Sequence, residues 1–310
     1  MAANELIGVL AVLLATGAVA GIEVLLVADF LIEKVTRRPR GRITRRLRLP
    51  WTVLSLGVLG CLVYAHWVEP FRFEVTRHTV SAASLPHGFH LRILQLTDLH
   101  LEGDGPAADW IVRTVEAEKP DVIALTGDYI NNFDAGKEAL RGVLSRLSAP
   151  DGILAVTGNY DGFDPAEVSK QSFTLHGFAR DVSRNGRHVS FFGCDLVGPG
   201  EFAGYMKKLP PSDFTVVLYH TPEMIDEAAA KDADLYLCGH THGGQVRLPF
   251  YGAVVTLSDT GKKYEAGEYE VGKMTAYVCR GIGTEGGLAP RLRFLCRPEI
   301  AVFDVVGTAK

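Results

Sequence analysis

Seven side chains able to bind metal lie in order along the chain: Asp98, His100, Asp128, Asn159, His220, His240 and His242. Each alone says little, because acids and histidines also cap helices and line loops. Together they describe a chemistry. Imidazoles mixed with carboxylates suit Mn, Fe, Zn or Co, whereas Mg and Ca prefer shells built from oxygen. A carboxylate shared by two such ions holds them about 3.5–4 Å apart, the spacing at which both can engage one phosphoryl group. Gly127, Gly158, Gly239, Gly243 and Gly244 stand beside these residues, where they allow sharp turns and close approach of a substrate. The other histidines (His66, His78, His87, His90, His176 and His188) have no partner at metal-binding spacing, so surface or packing roles are expected for them.

The apolar pattern shows what must carry these groups. Phe71, Phe73 and Val75 alternate, as do Phe89, Leu91 and Ile93. Buried strands are predicted at 91–97, 122–126, 153–157, 215–219 and 235–238, with helices at 107–118 and 137–147 and after Pro165 and Pro222. Shorter strands are predicted at 253–257, 275–279 and 300–305. Asp98 and His100 directly follow the first of these strands, Asp128 the second, Asn159 the third, His220 the fourth, and His240 and His242 the fifth. Sites in α/β sheets form where the carboxyl ends of strands gather, so groups from residue 98 to residue 242 can converge. Helix–strand alternation early and strand-rich sequence late imply an α/β body with two packed sheets.

Charge separates the chain into two parts. Residues 1–50 carry a net +4 while the whole 310-residue chain carries −4, leaving −8 on the remainder. Such a body does not bind nucleic acid, which demands clustered Lys and Arg, but it suits a site that gathers divalent cations. Two apolar runs, about 6–32 and 51–68, are each long enough to cross a bilayer, which takes about 20 residues. Trp51, Tyr64 and Trp67 flank or end the second run, as interfacial aromatics do. The basic segment 34–48 between the runs belongs in the cytoplasm by the positive-inside rule, which places everything after residue 70 on the other side. Arg45-Arg46 before an apolar run also fits a twin-arginine export signal, which delivers the body to the same side. Glu23 lies inside the first run and receives no role. The five cysteines (Cys61, Cys194, Cys238, Cys279 and Cys296) form neither a CxxC pair nor a disulfide framework, and buried free thiols are expected.

The ordered set Thr97-Asp98-Leu99-His100, Gly127-Asp128, Gly158-Asn159-Tyr160-Asp161, His220 and Gly239-His240-Thr241-His242-Gly243-Gly244-Gln245 resembles the calcineurin-like metallophosphoesterase superfamily over about residues 90–245. The tail, from Arg280-Gly281-Ile282-Gly283 through Arg291 to Glu299-Ile300, is similar to its membrane-anchored bacterial branch. The resemblance implies two packed mixed β-sheets flanked by helices, a four-layer sandwich spanning 71–310 behind the 1–70 anchor. It also implies two divalent transition-metal ions, with Asp98, His100 and His242 on one, Asn159, His220 and His240 on the other, and Asp128 bridging both. Asp128, Tyr160 and His240 would be catalytic; Asn159, Arg280 and Arg291 would contact substrate phosphate. The implied reaction is hydrolysis of a phosphodiester or diphosphate bond in a phosphorylated small molecule or lipid, by attack of a hydroxide bridging the metals.

Many members of the family carry a histidine where this chain has Tyr160. A tyrosine, with a reference pKa near 10, is the poorer acid at neutral pH, which favours substrates whose leaving group departs readily. The expected location is a bacterial cell membrane crossed twice, with the catalytic body outside the cytoplasm. The branch also includes hydrolases of UDP-diacylglucosamine, a cytoplasmic substrate at odds with that orientation. The competing reading is a membrane-tethered metal-binding sensor or scaffold with little activity.

Overall fold

Alternating inward and outward side chains build two sheets face to face. The computed structural model describes residues 3–37, 42–131, 133–285 and 291–309, and only the backbone of residues 3–13, 15 and 42–45. Six strands form the first sheet: β1 (Glu74–Pro86), β2 (His90–Leu96), β3 (Val122–Thr126), β4 (Ile153–Val156), β5 (Ser172–Thr174) and the last strand, Glu299–Ala309. Six form the second: β6 (Phe178–Arg184), β7 (Arg187–Gly193), β8 (Phe214–Leu218), β9 (Leu235–Cys238), and the strands Gly267–Val271 and Met274–Val278. A two-stranded ribbon lies between them in sequence, β10 (Arg247–Leu248) and β11 (Gly252–Ala253), so the remaining three strands are β12, β13 and β14 in chain order. The spatial orders are β1-β14-β2-β3-β4-β5 and β12-β13-β9-β8-β7-β6.

In β2, Leu91 and Ile93 face the second sheet and pack with Val216, Leu218, Leu235 and Leu237, while Leu94 and Leu96 face outward. The period of two along the strand forces this division. The outward face is covered by α3 (Pro106–Glu118) and α4 (Phe133–Leu144), counting α1 and α2 as the two N-terminal helices described below. The outer face of the second sheet is covered by α6 (Pro199–Met206) and α7 (Ile225–Ala229), with the one-turn α5 (Pro165–Val168) at the edge of the first. Four layers result, helix–sheet–sheet–helix, with mixed strand directions in both sheets. Gln95, buried at the sheet interface, donates from Nε2 to Thr126 Oγ1 (2.9 Å) and to Cys238 O (3.0 Å), tying the two sheets together beside the strand ends.

The structure differs from the expected elements in several places. Residues 172–193 hold β5, β6 and β7, which the apolar pattern passes over: β5 is three residues long, the exposed face of β6 breaks its run, and the buried stretch 189–193 of β7 is short and interrupted by Ser190. The strand expected at 253–257 shrinks to Gly252–Ala253, and the helix after Pro165 to four residues. The alternation from Phe71 begins as a strand only at Glu74, after a 3-10 turn over Glu69–Phe71.

The N-terminal region is a helical pair, α1 (Ala3–Thr36) and α2 (Arg42–Trp67), so most of the expected basic loop is helical and only 38–41 lie outside the described residues. Glu23 accepts hydrogen bonds from Thr52 Oγ1 (3.1 Å) and Ser55 Oγ (3.2 Å) of α2, and Arg48 pairs with Asp29 and Glu33, both at 2.8 Å. Among the described residues, one stretch, Arg46–Phe71, is long and apolar enough to cross a membrane. Cys61 is exposed on α2 rather than buried in a core; the other four cysteines are buried free thiols.

Candidate metal centre

The carboxyl ends of β2, β3, β4, β8 and β9 meet along one edge of the sandwich, and the chain turns sharply after each. The turns are unusual. Asp98, His100, Asp128, His240 and His242 all have positive φ, between 43° and 70°, a region that non-glycine residues avoid. Each such residue costs about 1–3 kcal/mol and persists only where its surroundings hold it. Gly239 shows what holds one of them: a Cβ there would lie 2.0 Å from Asp98 Oδ2. At Gly127 (φ 94°) a Cβ would meet His220 Nδ1 at 2.6 Å. These glycines admit the candidate ligands themselves, a correction to the expectation that they make room for substrate.

Two groups of donor atoms result. Asp98, His100 and His242 form one, with His100 Nε2 3.1 Å from His242 Nε2 and His242 Nε2 3.5 Å from Asp98 Oδ1. Asp128, His220 and His240 form the other, with His220 Nε2 3.1 Å from Asp128 Oδ2 and 3.0 Å from Asn159 Oδ1. Asp128 Oδ2 also lies 3.9 Å from His100 Nε2, so one carboxylate faces both groups.

In three of the four rings the second nitrogen fixes which lone pair faces inward. His100 Nδ1 donates to Asn131 Oδ1 (2.6 Å), His220 Nδ1 to Thr126 O (2.8 Å) and His240 Nε2 to Leu257 O (3.3 Å). His220 Nε2, Asp128 Oδ2 and Asn159 Oδ1 therefore converge, and once the ring gives up its Nε2 proton all three are acceptors with no donor between them. Such a set calls for a cation, as metal-binding histidines oriented by an outer hydrogen bond do. The charge balance agrees. Burial lowers His100, His240 and His242. Burial would lower His220 too, but the Asp128 and Asp98 carboxylates outweigh it and raise the ring to about 9. Burial pushes Asp98 up to about 7. Burial also acts to raise Asp128, yet His220 and His100 draw it below the usual carboxylate range. The site thus attracts positive charge at the point where the lone pairs meet, and the donor set fits a pair of divalent ions.

Residues 91–244 match the family described as calcineurin-like phosphoesterase. Over 276 residues the chain is 36% identical to the uncharacterized metallophosphoesterase YkuE of Bacillus subtilis, covering 82% of this chain and 94% of that one. The chain belongs to the calcineurin-like metallophosphoesterase family. It is also 32% identical over 282 residues to the phosphodiesterase YaeI of Escherichia coli, covering 85% of this chain and all of that one. The UDP-2,3-diacylglucosamine pyrophosphatase LpxG of Chlamydia trachomatis is 25% identical over 322 residues, covering 81% and 94%. This metallophosphoesterase is accordingly a metal-dependent hydrolase that uses two divalent ions, for which the two donor groups stand ready.

Other side chains around the phosphoesterase centre have no spacing that reveals them. Asp161 accepts from the backbone amides of Asp128 (2.8 Å), Tyr129 (2.9 Å) and Gly158 (2.8 Å), stapling the turns after β3 and β4; burial holds it up at about 6. Arg293, fully buried, donates to Arg280 O (2.8 Å), Gly281 O (3.2 Å) and Cys296 O (3.3 Å), with Nη2 3.5 Å from His242 Nδ1. It thereby fixes the loop whose Gly283 N donates to Asp98 O (2.7 Å).

Tyr160 sets its ring edge-on to His100, centroids 5.4 Å apart, and its hydroxyl donates to Glu285, which pushes the phenol up to about 12. Glu285 itself reaches to 3.8 Å of His242 Nε2. The two expected phosphate contacts part company. Arg280 is committed to Glu299 (2.8 Å) and Glu74 (2.5 Å), so its guanidinium braces β13 against β14 and β1 instead of facing a substrate. Arg291 pairs with Glu102 on the wall of a cleft shared with His100 and Asn131.

Proposed function

We propose that this hydrolase cleaves a phosphodiester or diphosphate bond in a lipid or envelope molecule at the surface of the membrane that holds it. The observation that carries this reading is one continuous cleft. Its lining includes His100, Asn131 and Arg291 together with Pro70 and Phe71, immediately after α2. A molecule whose apolar part remains in the bilayer can bring its phosphoryl group along that cleft to His100.

In this reading Asp98, His100 and His242 would hold one ion, Asn159, His220 and His240 the other, and Asp128 both; bound there, the pair would supply a water of lowered pKa and charge to offset that of the phosphoryl oxygens. The chain's own residues do the rest. Asn159 turns its amide oxygen to His220 and leaves its NH2 to donate to a phosphoryl oxygen. Tyr160, held to Glu285, is a weak acid that orients more than it protonates, which suits diphosphates and activated diesters. Arg291, half exposed at the cleft wall, offers a cation to substrate phosphate. α1 and α2 serve as two spans, and the basic segment 34–48 keeps their junction in the cytoplasm and the catalytic body outside.

A reporter fused after Lys310 locates the body, and the full chain in phospholipid vesicles with added Mn²⁺ tests the chemistry. Turnover of bis-p-nitrophenyl phosphate together with faster turnover of a vesicle-embedded lipid diphosphate than of its short-chain soluble analogue is expected. Preference for the soluble analogue would overturn the lipid assignment while leaving the hydrolase intact.

A further inference from the structure

Beyond the centre, the most exposed apolar group of the body sits on the β10–β11 ribbon. Phe250 at its tip is 110% exposed with φ of 64°, and Leu248 and Tyr251 beside it are open as well. A two-residue-strand ribbon gains nothing in folding by displaying such a tip, and large apolar groups shown to water together mark a contact surface.

The ribbon's position says what the contact is. Its stem follows His242-Gly243-Gly244 directly, and Val246 bridges Phe294, with Arg247 N donating to Phe294 O at 2.9 Å. Phe294 meets Tyr64 of α2 edge-on at 6.4 Å, and Arg293 N donates to Ala65 O at 2.9 Å. The ribbon, the 293–295 segment and the foot of α2 therefore adjoin. Leu295, Trp67 and Phe71 are exposed on the same junction. Lys262 lies 4.2 Å above the Tyr251 ring, donates to Tyr251 O (2.9 Å) and Ala253 O (2.9 Å) and pairs with Glu265, so its charge is spent within the ribbon, where it holds the Tyr251 ring in place. Continuity with Arg46–Phe71, among the described residues the one stretch long and apolar enough to cross a bilayer, selects a lipid surface over any other occupant.

We infer that the β10–β11 tip, with Leu295 and the foot of α2, seats the catalytic body on the bilayer that α2 crosses, holding the cleft mouth at headgroup depth. This rests on the anchoring reading above. Phe250 and its neighbours enter the interface. The ribbon stem then ties the depth of the tip to the turn that carries His242.

The test uses the full chain in phosphatidylethanolamine–phosphatidylglycerol vesicles. Phe250→Cys and, as reference, Phe178→Cys on the edge strand β6 are each made with Cys61→Ser and labelled with a nitrobenzoxadiazole dye; the four buried thiols stay unlabelled. Both proteins should hydrolyse bis-p-nitrophenyl phosphate like the parent, which shows that they are folded. A blue-shifted emission at 250, quenched several-fold more by doxyl-labelled lipid than the dye at 178, is expected. A dye at 250 that reads water while the chain resists carbonate extraction overturns the seating and spares the anchor. A chain that carbonate strips away overturns both. A shift that follows protein density but ignores doxyl lipid assigns the tip to a second copy of the chain and also overturns the proposal.

Discussion

The two donor groups are built differently although one carboxylate faces both. Asp98, His100 and His242 are buried, come from one strand of each sheet, and are braced by side chains: Asn131 on His100, and Arg293 on the loop behind Asp98 and beside His242. Tyr160 and Glu285 close over them. In the other group, Asn159 is exposed and His240 half-buried, and the histidines are oriented by main-chain carbonyls, Thr126 O and Leu257 O. It opens on a groove lined by Leu196, Leu257 and Asp259. Side-chain bracing gives a deep site that a point mutation can loosen. Backbone bracing gives a shallower site that can be altered only through its own donors.

Four measurements break or sharpen this contrast. Asp128→Asn removes the one group common to both sites, and loss of several kcal/mol of charge stabilisation lowers turnover by about 10³-fold or more. Metal analysis of the purified variant should show fewer ions bound than in the parent. Near-normal turnover with a full metal complement would mean that the two groups do not share a carboxylate.

Arg293→Met strikes only the deep site. Loss of an outer partner typically weakens metal affinity by about 10–100-fold, so one ion should dissociate at low free metal while the other stays. Arg293→Lys, which keeps the charge but cannot span three carbonyls, should behave similarly. Melting curves at saturating metal identify any variant that has merely unfolded. Equal weakening of both sites would erase the distinction.

The pH dependence of loading should differ as well. His220 must lose its proton before Nε2 can bind an ion, and with that ring raised to about 9, affinity at the shallow site should rise about tenfold per pH unit between pH 7 and 9. At the deep site His100 and His242 are held neutral by burial, and Asp98, at about 7, is ionised through most of that window, so its affinity should change far less. The sign for metal-free stability is the reverse. The His220 proton stabilises the fold fully below its unfolded value of about 6.5, and that contribution fades as pH rises through 9. Two-step metal titrations against a chelator at pH 7, 8 and 9 decide this, and parallel slopes at the two sites would contradict it.

Tyr160→Phe should have the smallest effect. On bis-p-nitrophenyl phosphate the loss should stay below about tenfold, well short of the 10²–10⁴ typical of a missing general acid. Tyr160→His should raise activity on alkyl phosphate esters more than on p-nitrophenyl esters. A large loss in Tyr160→Phe that grows with leaving-group pKa would instead make the tyrosine the acid.

The donors were legible because each stands at the end of an apolar run, and strand ends are where an α/β sheet collects its chemistry. What braces them was not. Arg293 acts on His242 from 51 positions away, and its signal, an arginine among apolar residues, is one that surface arginines share. Asp161 stood in plain view within Gly158-Asn159-Tyr160-Asp161, but three backbone amides are invisible in a sequence. Arg280 looked like a phosphate contact because it precedes a glycine loop; Glu299 and Glu74, which engage it, are distant in the chain. In the fold, most buried strands were read correctly; β6 and β12 were missed because half-exposed strands carry a weaker period, β5 because it is three residues long, and β7, buried over 189–193, because its apolar run is short and broken by Ser190.

The place of β14 carries a consequence for how the molecule is made. The strand Glu299–Ala309, last in chain order among those described, lies between β1 and β2, the first two strands of the body, parallel to one and antiparallel to the other. Until it arrives, β1 has no partner in the sheet, and non-local pairings of this kind form late and slowly. The first sheet therefore closes only when this strand joins it, and a chain that lacks Glu299–Ala309 loses the interior of a sheet, not a dispensable tail.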